Sequence, residues 1–244
     1  MNAADQFTRG LRNRRWVGTS LPEQRDPLHS GLLYPSTNEF GLPDLEHVPL
    51  SAVPDYLVPF KTRLRWGRSS KGLAVHFFLD DYRIQSAFTK PYAVLAALLS
   101  TYSTVLTPDF SVYTDWPKAM QLWNVYRSRW CGAFWRDKSE GRLTVIPTVQ
   151  WSTRDSFEYC FLGIPTRSVV AISTQGVRQR QVIPGAYALF VEGYHEMVSR
   201  LQPSLVLCYG FFPDELKGLA PVKVYPTRWQ DIRAQQKAAR KNGQ

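Results

Sequence analysis

No stretch of eighteen consecutive apolar residues occurs in this chain, so no helical membrane span is expected. The first thirty residues hold Arg9, Arg12, Arg14 and Arg15 with no apolar run behind them, which is not the pattern of a secretory signal. Cysteine is scarce. Cys131, Cys160 and Cys208 form no CxxC pair, and His29, His47, His76 and His195 show neither HxH nor HxxxH spacing. Common zinc frameworks and a disulfide scaffold are thereby excluded. The cysteines lie among apolar or aromatic neighbours and are expected as buried free thiols in a reducing cytosol. No GxGxxG, GxxxxGK[ST] or GxSxG occurs, which removes the usual dinucleotide, P-loop and serine-hydrolase templates. Nor is there a zinc finger, an RNP-type motif or a clear helix-turn-helix.

What is present is an ordinary globular composition. The 244 residues are 44% hydrophobic and 14% aromatic, too apolar for a disordered chain and enough for a sizeable core without metal or disulfide support. Residues 1–56 contain six prolines between Pro22 and Pro54 and no sustained period, so an irregular arm is expected, anchored by Leu32, Leu33, Tyr34, Phe40 and Leu42. From residue 57 to 225 short apolar runs alternate with helical patterns. Tyr56–Phe60, Leu73–Leu79, Thr104–Thr107, Leu143–Val149, Ser168–Ser173, Ser204–Tyr209 and Val222–Tyr225 read as strands. Near-continuous apolar strands belong to parallel sheets covered by helices. Helices are expected from Pro91 to about Leu99, from Pro117 to about Trp135, through Phe157 and Phe161, and over residues 185–201 with Ala188, Val191, His195 and Val198 on one face. The order predicts an α/β domain with a mostly parallel sheet of five to seven strands and helices on both faces, either open and doubly wound or an irregular, partial TIM-like barrel. Residues 226–244 form a polar, basic tail.

The net charge of +10 is concentrated. Residues 61–72 contain Lys61, Arg63, Arg65, Arg68 and Lys71 with no acid, and the tail sets Arg228, Arg233, Lys237, Arg240 and Lys241 against Asp231 alone. Trp66 and Trp229 lie among these cations, a pattern suited to phosphate contact with base stacking. Nucleic acid is therefore the expected partner.

Ligands of α/β folds sit at the carboxyl ends of the strands. Asp80-Asp81-Tyr82-Arg83, Pro108-Asp109-Phe110-Ser111, Gln150-Trp151-Ser152, Ser173-Thr174-Gln175-Gly176 and Tyr209-Gly210 follow successive strands. Asp80, Asp81 and Asp109 are candidate ligands for Mg²⁺ or Mn²⁺, hard cations that favour oxygen donors, with Asp115 a fourth catalytic candidate. Two such ions about 4 Å apart serve phosphodiester chemistry. Arg127 and Arg129 are candidate phosphate clamps. The competing expectation is structural: Thr114 or Asp115 capping the helix after Pro117, Asp81 capping a turn, and Asp109 pairing with an arginine.

The runs His76–Tyr82, Thr107–Pro117, Trp123–Trp130, Val145–Trp151, Gly163–Pro165 and Ala171–Thr174 resemble, in order and spacing, a family described as domain of unknown function 4417, encoded largely by bacteriophages and integrated or plasmid elements. The resemblance covers roughly residues 30–212. It implies a phage or mobile-element protein in a bacterial cytoplasm and supplies no activity. Three functions follow as expectations: a metal-dependent nuclease or nickase, a non-catalytic DNA- or RNA-binding accessory protein, or a factor that binds a host or phage protein through Trp116, Trp123, Trp130 and Trp135.

Overall fold

Seven short apolar segments become seven strands: β1 (Tyr56–Pro59), β2 (Leu73–His76), β3 (Thr104–Leu106), β4 (Thr144–Ile146), β5 (Val169–Ser173), β6 (Leu205–Tyr209) and β7 (Val222–Tyr225). The computed structural model describes residues 26–61, 72–177, 185–227 and Gln230. Between the strands lie α1 (Asp81–Ile84), α2 (Ser86–Thr89), α3 (Pro91–Leu99), α4 (Lys118–Lys138), α5 (Phe157–Cys160) and α6 (Ala186–Leu201). Pro91 opens α3 at its first turn, where a missing N–H costs nothing. Pro117 stands just before α4 rather than inside it, and no side chain caps that helix, so neither Thr114 nor Asp115 has the expected capping role. The short helices α1 and α2 were not expected from the sequence; four-residue turns carry no readable period.

All pairing is parallel, in a four-stranded sheet β1-β2-β3-β4 and a three-stranded sheet β5-β6-β7. The expectation of one sheet with helices on both faces is corrected on two counts. First, β4 and β5 diverge. Past the end of β4, Val149 N–H donates to Ala171 O and Ala171 N–H donates to Pro147 O, both at 2.8 Å. At the other end of β5, Val48 of the N-terminal arm fills the gap: Val169 N–H donates to Val48 O at 3.1 Å, and Val48 N–H donates to Ser168 Oγ at 2.9 Å. Second, each sheet carries helices on one face only. The period of two sends Val75, Val105 and Val145 under α3 and α4, into a cluster with Leu98, Trp130, Phe134 and Trp135. It sends Val170, Ile172, Val206 and Cys208 under α6. The opposite faces of both sheets, through Ala74, Leu106, Ile146, Ala171, Leu207 and Tyr225, meet in one shared interior. The strands do not close into a barrel.

Trp130 and Trp135 are fully buried, each removing enough apolar surface to stabilise the fold by roughly 2–3 kcal/mol. The arm packs more tightly than its prolines imply: Leu42, Leu45 and Val48 are buried, whereas the expected anchor Leu33 is exposed. Helix α6 is rotated from the expected face and buries Phe190, Gly193, Tyr194, Met197 and Leu201. All three cysteines are buried and free. No helix among the described residues is long and apolar enough to cross a membrane.

Candidate functional site

The carboxyl ends of the strands surround a cavity of about 1090 Å³. Pro59 at the end of β1, Asp80 after β2, Asp109 after β3, Gln150 after β4, Gln175 after β5 and Tyr209 of β6 all reach it, so both sheets contribute. Two of the candidate carboxylates, Asp81 and Asp109, come close together. Asp109 is half-buried and lines the cavity; no hydrogen bond to its carboxyl is found among the described residues. Burial first, and the charge of Asp81 second, push its pKa up from 3.8 to about 7. The group therefore changes protonation state near neutrality.

Asp81, the first residue of α1, is fixed from the next loop. Its Oδ1 accepts from Ser111 Oγ at 2.8 Å and from Ser111 N–H at 3.1 Å. Ser111 O in turn accepts from Asn124 Nδ2 at 2.6 Å, and Asn124 Oδ1 accepts from Arg127. Arg127 sits over Phe110, its Cζ 3.9 Å from the ring centre, and donates to Gln85 Oε1 at 2.8 Å. A chain of polar contacts thus runs from α4 to the carboxylate pair.

The remaining candidates separate from this pair. Asp80 is exposed at the cavity lip, and Asp115 is exposed on the turn before α4, away from the cavity wall. Arg127 and Arg129 are not open phosphate clamps. Arg127 is 7% exposed and committed to the network above, while Arg129 is 1% exposed and gives all three of its nitrogens to backbone carbonyls. Lys61 is exposed, with its Nζ 5.3 Å from the Phe60 ring centre. Arg63, Arg65, Arg68, Lys71, Arg228, Arg233, Lys237, Arg240 and Lys241 lie outside the described residues. Full burial of Trp130 and Trp135 removes them from the tryptophan docking surface expected for a protein partner; Trp116 and Trp123 are half-buried. Among the described residues no group of three or more His, Cys, Asp or Glu side chains converges as a metal centre.

Several wall residues were visible as strand-end polar groups without an assigned task. Arg83 is exposed on the cavity rim. The first turn of α6 also faces the cavity through Ala186 and Leu189. That helix start has no side-chain cap. Trp151 stacks on Phe190, ring centres 5.4 Å apart, and presses on α6 where residue 193 is glycine. A Cβ at Gly193 would lie 2.1 Å from the Trp151 ring. Alanine there is expected to displace Trp151 and destabilise the fold by about 1–3 kcal/mol, measurable by thermal melting; an unchanged melt would mean the ring has room to move.

A family model described as "Domain of unknown function (DUF4417)" matches residues 34–225, a span that includes every strand and the whole cavity wall. The "Gene 1 protein" of Mycobacterium phage L5 is 44% identical over 214 residues, covering 86% of this chain and 89% of that protein. The "Gene 1 protein" of Mycobacterium phage D29 is 41% identical over 229 residues, covering 93% and 81%. No solved structure matches.

Proposed function

We propose that this chain, which belongs to the domain of unknown function (DUF4417) family and has phage proteins as its relatives, acts on nucleic acid and cleaves phosphodiester bonds at the Asp81–Asp109 pair. The observation that carries the reading is a cavity-wall carboxylate, Asp109, with the Asp81 carboxylate close enough to raise its pKa, the two following adjacent parallel strands. In this reading the seven strands form an irregular, partial barrel with its ligand at the end where such folds hold theirs. Two carboxylates that repel each other favour either a proton or a cation between them. Mg²⁺ or Mn²⁺ suits this donor set, because Mg²⁺ commonly keeps several waters and binds through one or two carboxylates plus substrate phosphates. The missing third ligand is then a phosphate oxygen.

Three features favour an anionic polymer. The first turn of α6, for which no side-chain cap is found among the described residues, brings the positive end of a 16-residue helix dipole to the cavity. The cavity-lining Pro59 is followed within twelve residues by Lys61, Arg63, Arg65, Arg68 and Lys71. The cavity-lining Val177 is followed directly by Arg178 and Arg180. Asp81 and Asp109 would hold the cation, which would supply polarisation of a phosphoryl oxygen and of a water. The ionised Asp109 carboxylate would take the water proton as the water oxygen bonds to phosphorus and the bond from phosphorus to the leaving oxygen breaks, that oxygen taking its proton from solvent.

A second reading, binding of nucleic acid without cleavage, is favoured because no three His, Cys, Asp or Glu side chains among the described residues are grouped to hold a metal. One experiment separates them. Wild type and Asp109→Asn are titrated with Mn²⁺ by calorimetry and incubated with labelled DNA and RNA. Cation binding and cleavage that the substitution abolishes support the catalytic reading. Affinity for the cation is then expected to fall about tenfold for each pH unit below 7, as the proton competes for Asp109. Salt-sensitive nucleic-acid binding with no cation binding leaves the accessory role.

A further inference from the structure

Two residues of the cavity wall, Gln150 and Ser152, carry buried polar atoms that the fold itself leaves unused among the described residues. Gln150 donates its Nε2 to the Phe110 carbonyl, which fixes the orientation of the amide and leaves Oε1 as an acceptor. That Oε1 is buried and has no hydrogen-bond partner among the described residues. Ser152 is 4% exposed, lines the same cavity, and its Oγ is likewise unpartnered among the described residues. Leaving a buried acceptor unmade costs about 1–3 kcal/mol, so a pair of them in one cavity wall calls for an explanation. Between them in sequence stands Trp151, half-buried, backed by Phe190 and Gly193 and also part of the cavity lining.

We propose that Gln150, Trp151 and Ser152 form a nucleobase subsite, taking a base that stacks on Trp151 and gives an exocyclic amino N–H to Gln150 Oε1. This rests on the nucleic-acid reading and names the part of the ligand that the carboxylates do not touch. An aromatic face accepts any base, whereas a single fixed acceptor accepts only a base edge that donates. Ser152 Oγ, able to give or accept, serves the neighbouring atom of that edge. Because Gln150 holds the carbonyl of Phe110, the residue after Asp109, the subsite sits beside the carboxylate pair. A base bound there places its own phosphate within the same cavity as Asp109 and the first turn of α6.

The test uses the full chain and calorimetry. AMP, GMP and CMP are titrated, each beside the analogue that lacks its exocyclic amine, with ribose 5-phosphate as the base-free reference. At least one amino-bearing nucleotide is expected to bind about fivefold or more tightly than its analogue, and tenfold or more tightly than ribose 5-phosphate. Gln150→Leu is expected to erase the preference for the amine while keeping the preference for a base, and Trp151→Leu to weaken every base. Equal binding of nucleotides and ribose 5-phosphate overturns the proposal, as does equal binding of every analogue pair by wild type, a result that needs no variant to fold. Asp109→Asn is expected to keep base selectivity. Selective base binding with no cleavage by any form would remove the phosphodiester reading and leave the subsite standing. Cleavage with no base selectivity would remove the subsite alone.

Discussion

Replacing Arg129 with methionine is expected to cost roughly 3–5 kcal/mol of stability, one of the largest losses available to a single side chain here. Arg129 projects from the middle of α4 into the interior and is 1% exposed. Its Nε donates to Leu162 O at 3.1 Å, one terminal nitrogen to Thr148 O at 3.2 Å and the other to Cys160 O at 2.8 Å. Burial pulls its pKa down to about 10, yet the group remains a cation at neutral pH. A buried cation costs several kcal/mol to desolvate and is retained only where its donors are used. Here the three carbonyls are those at the end of α5 and just past β4. Neither backbone segment can pair them otherwise, because a four-residue helix has no interior and β4 has already left its ladder. Methionine fills the volume and orphans all three acceptors. Lysine keeps the charge but cannot fork to carbonyls on two separate segments, and is expected to recover less than half the loss. Chemical denaturation monitored in the near-UV checks this. A loss under 1 kcal/mol would mean that the carbonyls find other partners and that Arg129 is no staple. The same loop continues into Gln150, Trp151 and Ser152, so partly folded variants are also expected to lose nucleotide binding.

Arg129 also marks where sequence reasoning stopped. In Trp123–Trp130 two arginines one turn apart from aromatics read as a phosphate clamp, because charge is normally solvated. Nothing local in the sequence says that three carbonyls from 19 to 33 residues away will gather around one of them. The strands were legible for the opposite reason. A run such as Leu73–His76 is apolar on both faces, and that is a property of the segment alone. What each face would meet was not: Ala74 turns to the interior shared by both sheets and Val75 to the α4 layer, a distinction of tertiary partner rather than of residue type. The carboxylates behaved similarly. Their position soon after strand ends brought Asp81 and Asp109 close together, while Asp115, equally polar but farther along the chain from β3, was carried off to the surface by the turn that starts α4. The helix face of α6 was misjudged because Gly193 and Tyr194 do not read as core, yet Gly193 is buried so that Trp151 can lie against the helix.

Asp109→Asn is expected to stabilise the protein strongly at alkaline pH and hardly at all in acid. The folded state raises the carboxyl from 3.8 to about 7, so folding favours its protonated form. Below pH 3.8 both states are protonated and the mismatch contributes nothing; as pH rises toward 7 the unfolded chain releases a proton that the folded chain keeps, and stability falls. Three pH units at roughly 1.4 kcal/mol each give a cost of up to about 4 kcal/mol above pH 7, trimmed by the side of the carboxyl that faces the cavity. His76 pulls the other way. It is buried against Tyr209 and Phe78, and desolvation lowers its pKa from 6.5 to about 3, so its contribution is complete above pH 6.5 and is lost as pH falls toward 3. Between pH 4 and 7 the two costs offset each other in the wild type, and its melting temperature is expected to be nearly flat. Asparagine deletes the alkaline cost and leaves only the histidine, so the variant is expected to climb by about 3 kcal/mol across that range, on the order of 6–12 °C. Parallel curves for the two proteins would refute the raised pKa. Mg²⁺ supplies the discriminating arm: if Asp81 and Asp109 hold a cation as proposed, Mg²⁺ is expected to stabilise the wild type above pH 7 and to have no effect on Asp109→Asn. A carboxylate raised by burial and by a second carboxylate, in a cavity wall, is the arrangement on which the proposed cation and phosphate site rests, and these curves test it directly.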